Sequence, residues 1–261
     1  MPLIYLPELR LHAHVTGPEN GAPLLLIHGL GQDHQLWQSL CDRLPGHRIL
    51  SYDLRGHGAS DCPPAPYSMG SLIRDAERLC EHIGLKETVV IGHGLGGLVA
   101  QGLAVKRLDL VRGLVLSHTA ARIGFSSQWQ DRIAKIREGG MAALHDQVME
   151  RWFGRAWRDA PGLEAVSARF LATPAEGWAG CAAALSGSDF YQTTATLRLP
   201  CLALAGTGDG ATPADLVRET AELIPGHRFG LIRGADHLPM LGRADEYANA
   251  IKTFLSEIGH I

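Results

Sequence analysis

The chain places a glycine where chemistry would call for a hydroxyl. Gly92-His93-Gly94-Leu95-Gly96-Gly97 follows the apolar run Thr88 to Ile91 and leads into a helix-like stretch. That is the strand–turn–helix context of a G-x-S-x-G nucleophile elbow, whose central serine sits on a strained turn and projects its hydroxyl above a sheet. Gly92, Gly96 and Gly97 meet the demand for small neighbours that lets strand and helix approach. Gly94 takes the serine's place, and glycine relieves roughly 1–3 kcal/mol of backbone strain there. The elbow is therefore expected to form without its nucleophile.

Three further groups stand in a telling order. His28-Gly29-Leu30-Gly31 follows the run Leu24 to Ile27, where a backbone N–H is placed to stabilise an oxyanion. The residue after the nucleophile position supplies a second such donor. Leu30 and Leu95 are the candidates. Asp209 lies just beyond the strand-like Cys201 to Leu204, at the end of a strand where functional loops gather. Thr212-Pro213 is read as the cap and first-turn proline of the next helix, which leaves Asp209 for another task. His237 follows the strand-like segment from His227 to Ile232. Nucleophile position, acid and base thus succeed one another along the chain. Tyr52-Asp53-Leu54-Arg55-Gly56-His57-Gly58 is read as a loop whose charged residues brace its neighbours.

The elements that must position these residues alternate. Short apolar runs at 23–27, 49–52, 88–91, 113–116 and 201–204 read as strands covered on both faces. Helical periodicity covers about 35–44, 68–83, 95–106, 213–224 and 245–258. Such alternation implies a mostly parallel sheet flanked by crossover helices. It fails between about Ala121 and Thr193, which is read as an inserted helical cap. The organisation expected is a core of residues 1–120 and 194–261 interrupted by a cap over 121–193. That cap holds Trp129, Trp152, Trp157 and Trp178, four of the five tryptophans, which would roof a pocket.

Composition narrows the function classes. With 261 residues, 46% of them hydrophobic, the chain can bury a sizeable core. A formal charge of −3 without a basic block argues against nucleic acid or an anionic membrane surface as partner. Pro7, Glu8 and Arg10 interrupt the first apolar run, so no secretory leader is expected and the chain is read as cytoplasmic. Five scattered cysteines fit neither a disulfide framework nor a zinc motif. No metal is expected, and the pair His12-x-His14 is read as exposed on an early strand. No nucleotide cofactor is expected either. Gly92-x-Gly94-x-x-Gly97 mimics a dinucleotide loop, but its strand is not the first of the sheet.

Taken together, these motifs resemble the α/β-hydrolase superfamily over essentially the whole chain. Within it the chain is similar to the 3-oxoadipate enol-lactonases, which open an enol-lactone during bacterial aromatic-acid degradation. The closer resemblance rests on Leu30-Gly31 with Trp37, on the Tyr52 to Gly58 loop, and on cap residues Thr119 to Gly124, Trp129, Arg151-Trp152-Phe153 and Glu176-Gly177-Trp178-Ala179. It implies an α/β-hydrolase fold, His237 as general base, Asp209 as its orienting acid, oxyanion donors at Leu30 and Leu95, and a small lactone or ester as substrate. Trp129 and Trp152 would line the substrate site. A substrate carboxylate would need a cation, for which Arg122, Arg132 and Arg151 are candidates. Three readings of Gly94 follow. The chain is a hydrolase of this lineage with serine changed to glycine and turnover nearly abolished. Alternatively, it is a naturally serine-free protein that binds a small ligand. In the third, His237 and Asp209 act as a general base without a covalent intermediate. Dehalogenase chemistry is excluded, because it needs a carboxylate at position 94.

Overall fold

In the computed structural model, which describes residues 3–154, 157–160 and 162–261, eight strands form one sheet in the order β1-β2-β4-β3-β5-β6-β7-β8. These are β1 (Leu3–Leu6), β2 (Leu9–Thr16), β3 (Pro23–Ile27), β4 (Arg48–Tyr52), β5 (Thr88–His93), β6 (Val111–Ser117), β7 (Cys201–Gly206) and β8 (Arg228–Ile232). β1 and β2 pair antiparallel, as do β2 and β4, and every later pairing is parallel. The runs read as doubly covered strands are so: β5 and β7 are buried along their entire lengths. β-branched and leucine side chains project from both faces, so helices must cover both.

The helices are α1 (Gln38–Cys41), α2 (Met69–Ile83), α3 (Leu95–Lys106), α4 (Ser126–Gly139), α5 (His145–Phe153), α6 (Leu163–Ala172), α7 (Ala175–Ser186), α8 (Tyr191–Thr194), α9 (Ala214–Glu222), α10 (Pro239–Gly242) and α11 (Ala244–Glu257). Local signals set their ends. Ser68 caps α2 by accepting from the Ser71 N–H, and Gly84 closes it in the left-handed region at φ 74°. The periodic stretch at 35–44 is shorter than expected: a 3-10 turn over His34–Trp37, capped by Asp33, runs into α1. α3 is buried nearly all round because it crosses β3, β5 and β6 closely. Gly96 makes that approach feasible, since a Cβ there would collide with the Ile27 carbonyl.

Helices α4 to α8 lie between β6 and β7 in the chain. They form the inserted helical region, with α4 packed on α7. No helix among the described residues is long and apolar enough to cross a membrane.

Candidate functional site

Gly94 occupies the turn between β5 and α3 with φ 52° and ψ −117°. This conformation strains any residue with a Cβ, and three bonds hold it. The Gly94 N–H donates to the Ser117 carbonyl at 3.1 Å, while its carbonyl accepts from the Gly97 N–H at 3.0 Å and from Thr119 Oγ1 at 2.6 Å. A Cβ built at position 94 would meet nothing closer than Gly29 Cα at 3.7 Å, His237 Nε2 at 3.8 Å and the His118 carbonyl oxygen at 4.0 Å. The site is therefore sterically open to a side chain even though its backbone favours glycine.

Asp209 and His237, distant in sequence, meet there. His237 Nδ1 lies 2.9 Å from Asp209 Oδ2, and the pair is almost wholly buried. The same carboxylate oxygen accepts from Thr212 Oγ1 at 2.7 Å. Its other oxygen accepts from the N–H groups of Ala211 (2.7 Å) and Thr212 (2.9 Å). Burial pushes the carboxyl up, but His237 opposite it, His118 and the Thr212 N–H prevail and hold it at about 2. An ionised carboxylate can only accept, so His237 carries its proton on Nδ1 and turns the Nε2 lone pair toward position 94. An imidazole held this way can take a proton from a group at residue 94 or from a molecule beside it.

Thr212 corrects the sequence reading. It does not cap the following helix, whose N-cap residue is Pro213 with no side-chain cap bond. Its hydroxyl completes the shell of Asp209 instead. His93 was not anticipated as a neighbour of the site. It is fully buried, its ring centroid is 4.6 Å from that of His237, and burial, followed by the proximity of His237 and His118, holds it well below the usual imidazole value. Its signal was its place beside Gly94, since the residue flanking an elbow shares its exit from the strand.

The loops after β3, β5, β6, β7 and β8 and the inserted helices enclose a cavity of about 450 Å³. Leu30, Leu95, Gly94 and His237 border it below. Leu95 opens α3, so its N–H is among the donors that a helix start leaves without intrahelical partners. Trp129, Trp152 and Trp178 roof it, and all three are buried. The side chain of Trp157 lies outside the described residues. Trp152 stacks on His237 with rings 6.2 Å apart at 21°, and its carbonyl accepts from the His237 N–H at 3.0 Å. The inserted region is thus tied directly to the imidazole.

Three arginines border the cavity, in different states. Arg122 is partly exposed, lies 3.6 Å from Asp189 and packs over Phe125. Arg151 donates to the carbonyls of Gly210 (3.2 Å) and Ala211 (3.4 Å). Arg132 lies 4.8 Å over the Trp129 ring and has no carboxylate partner among the described residues. Burial, reinforced by Arg151, lowers the Arg132 guanidinium to about 10. Two adjacent half-buried cations bordering a cavity are complementary to an anion.

The braces read from the Tyr52 to Gly58 loop are present. Arg55 pairs bidentately with Asp75 at 2.6 Å, and Asp53 bonds to His12 and His34. His12 is accordingly not exposed as expected: its side chain retains 16% of its accessible surface and points at Asp53. On β2 it lies on the less buried face, opposite Leu11 and Ala13, and that face meets the loop after β4.

The chain belongs to the α/β-hydrolase fold family, whose model matches residues 22–244. Among solved structures it is similar to the enol-lactonase from Burkholderia xenovorans LB400, with a TM-score of 0.94 and 31% identity over 98% of this chain and 100% of that one. It is also similar to a thermophilic esterase from Thermogutta terrifontis, solved with malate bound, with a TM-score of 0.90 and 28% identity over 98% and 97% of the two chains. Among curated proteins it is 29% identical over 208 residues to 3-oxoadipate enol-lactonase 2 of Acinetobacter baylyi, covering 78% of each.

Proposed function

We propose that this protein binds a small lactone or ester bearing a free carboxylate, in the manner of an enol-lactonase, and that as written it lacks covalent turnover. The observation that carries the reading is the 3.8 Å between His237 Nε2 and the Cβ position of residue 94. A hydroxyl one bond beyond that Cβ comes within hydrogen-bond reach of Nε2. Base, orienting carboxylate and oxyanion donors would then serve acyl transfer: the oxygen attacks the carbonyl, Nε2 takes its proton, and Leu30 and Leu95 N–H groups receive the developing oxyanion. Gly94 offers no oxygen, so the acyl-enzyme cannot form.

The substrate class is supported from two sides. Arg132 and Arg151 present half-buried positive charge to the cavity, suited to a carboxylate. The similar Burkholderia protein is an enol-lactonase, and the similar Thermogutta esterase was solved with malate, itself a dicarboxylate.

The test is to assay the chain and its Gly94→Ser variant side by side on 3-oxoadipate enol-lactone and on neutral aryl esters. The expected result is little turnover in the glycine form and a large gain in the serine form, greatest on the lactone. No gain on any substrate overturns the reading. Activity of the glycine form that disappears in His237→Ala would replace it with general-base catalysis on a bound water.

A further inference from the structure

A second cluster of chemically capable side chains lies outside the residues that line the cavity. His12 on β2, His34 at the start of the 3-10 turn and Asp53 after β4 bring three ligand-type atoms within 4.8 Å of one another. His12 Nδ1 is 2.9 Å from Asp53 Oδ2, and His34 Nδ1 is 2.8 Å from Asp53 Oδ1. Both imidazoles therefore converge on one carboxylate through the same ring nitrogen, from opposite oxygens.

We infer that His12, His34 and Asp53 form a zinc(II) site that fastens the β1-β2 hairpin to the loops after β3 and β4. Four features favour an ion over a simple hydrogen-bonded cluster. Tetrahedral zinc with bonds of about 2.0–2.1 Å holds its ligand atoms roughly 3.3 Å apart; the two imidazole–carboxylate spacings of 2.9 and 2.8 Å are already close to that value, and the widest pair, within 4.8 Å, closes if the two partly exposed imidazoles swing together. The carboxylate is already oriented by bonds that an ion would leave in place: the His34 N–H donates to Oδ1 at 2.8 Å and the Ala59 N–H to Oδ2 at 2.9 Å. Such outer bonds fix the direction of a metal-binding carboxylate. The Asp53 side chain is buried at 1% exposure, while His12 and His34 retain 16% and 14%, so an ion has an approach from the imidazole side. His14, two residues along β2 and therefore on the same face as His12, sets a third imidazole beside the cluster, its ring 6.0 Å from that of His34.

Binding exchanges the two N–H···O bonds for two nitrogen–metal bonds and one oxygen–metal bond from Asp53. Each neutral imidazole offers its Nδ1 lone pair after its proton moves to Nε2, and no electron transfer is involved. Two imidazoles and one carboxylate suit zinc, whose preferred ligands mix nitrogen and oxygen, better than calcium or magnesium, which require mostly oxygen. No linear motif announces the site, because 12, 34 and 53 share no metal-binding spacing.

The test uses the full chain stripped with chelator and titrated with zinc chloride, with His12→Gln and His34→Gln beside it. Bound metal is measured by equilibrium dialysis and elemental analysis, and melting temperature is followed with and without zinc. One equivalent bound, an affinity loss of roughly 100-fold or more in each variant, and a zinc-dependent rise in melting temperature confined to the parent support the site. Absence of stoichiometric binding at 100-µM-order zinc, or equal binding by parent and both variants, overturns it. Melting temperatures measured in chelator establish that the variants are folded. None of these readouts depends on turnover at Gly94.

Discussion

His237 presents its two ring nitrogens to two different tasks: Nδ1 is bonded to Asp209 at 2.9 Å, and Nε2 stands 3.8 Å from the point where residue 94 would carry a Cβ. The imidazole is thus positioned by one neighbour and aimed at a second that has no side chain. This relationship makes the chain's chemistry testable by a single substitution.

Gly94→Ser is expected to raise kcat/KM on carboxylate-bearing lactones by several orders of magnitude, since removing the nucleophile of a comparable triad costs about 10⁶ in kcat. The same substitution places a side chain at φ 52°, which costs about 1–3 kcal/mol, offset in part by the lower entropy of the unfolded chain. Urea unfolding should show a modestly less stable protein. Gly94→Ala should share that loss and gain no activity.

In the Gly94→Ser background, Asp209→Asn should lower kcat by about 10⁴, because the amide stabilises the wrong imidazole tautomer. Thr212→Val, which removes the hydroxyl bonded to Asp209 Oδ2, should cost about 1–2 kcal/mol of stability. The measurement is kcat for the first variant and chemical unfolding for the second.

Arg132→Ala should weaken binding of a carboxylate ligand by roughly 10- to 100-fold, as for loss of a charge-assisted bond of about 1.5–3 kcal/mol. Neutral aryl esters should be affected little. Arg122→Ala should have a small effect on both, because that guanidinium is partly exposed and already faces Asp189. Calorimetric titration of the glycine form with a dicarboxylate reads the difference; equal losses for charged and neutral ligands would count against a carboxylate subsite.

Stability should fall steeply on acidification below neutrality. Burial holds both His57 and His118 down to about 3, against 6.5 when unfolded. Between those values the unfolded chain binds a proton at each position that the native protein refuses, so stability rises with pH through this window and is complete above it. At pH 5 each residue should cost about 2 kcal/mol relative to neutral pH. Asp209, held at about 2, acts in the same direction lower down, its contribution being lost as pH falls from about 4 toward 2. Urea midpoints measured from pH 7 to pH 4 check the slope; replacing His118 with glutamine should flatten it.

Gly96→Ala should be severely destabilising, by about 3 kcal/mol or more, because the added methyl meets the Ile27 carbonyl and backbone cannot step aside cheaply. Gly84→Ala, at a helix end with open space around it, should cost about 1 kcal/mol from its left-handed φ alone. Melting temperatures of the two variants make the comparison.

What the sequence determined by itself is whatever depends on neighbours within a few residues. Continuous apolar runs such as Thr88 to Ile91 must be strands covered on both faces, and their alternation with helical stretches implies the parallel sheet that is observed. The crowding of Gly92, Gly96 and Gly97 around position 94 announces a tight strand-to-helix turn, because only glycine tolerates that approach. Asp209 and His237 could likewise be named from their places just beyond strands, where loops of a parallel sheet converge. Their 2.9 Å separation, and the service of Thr212 to Asp209 rather than to its own helix, depend on how two loops are held by β7 and β8. Only the folded chain decided that Arg122 faces Asp189 while Arg132 lies over Trp129 and Arg151 bonds to backbone carbonyls, and that His12, His34 and Asp53 meet at all. Side-chain pairing between distant segments leaves no periodic trace: it arises from strand order and loop direction, which bring together residues that local sterics never relate.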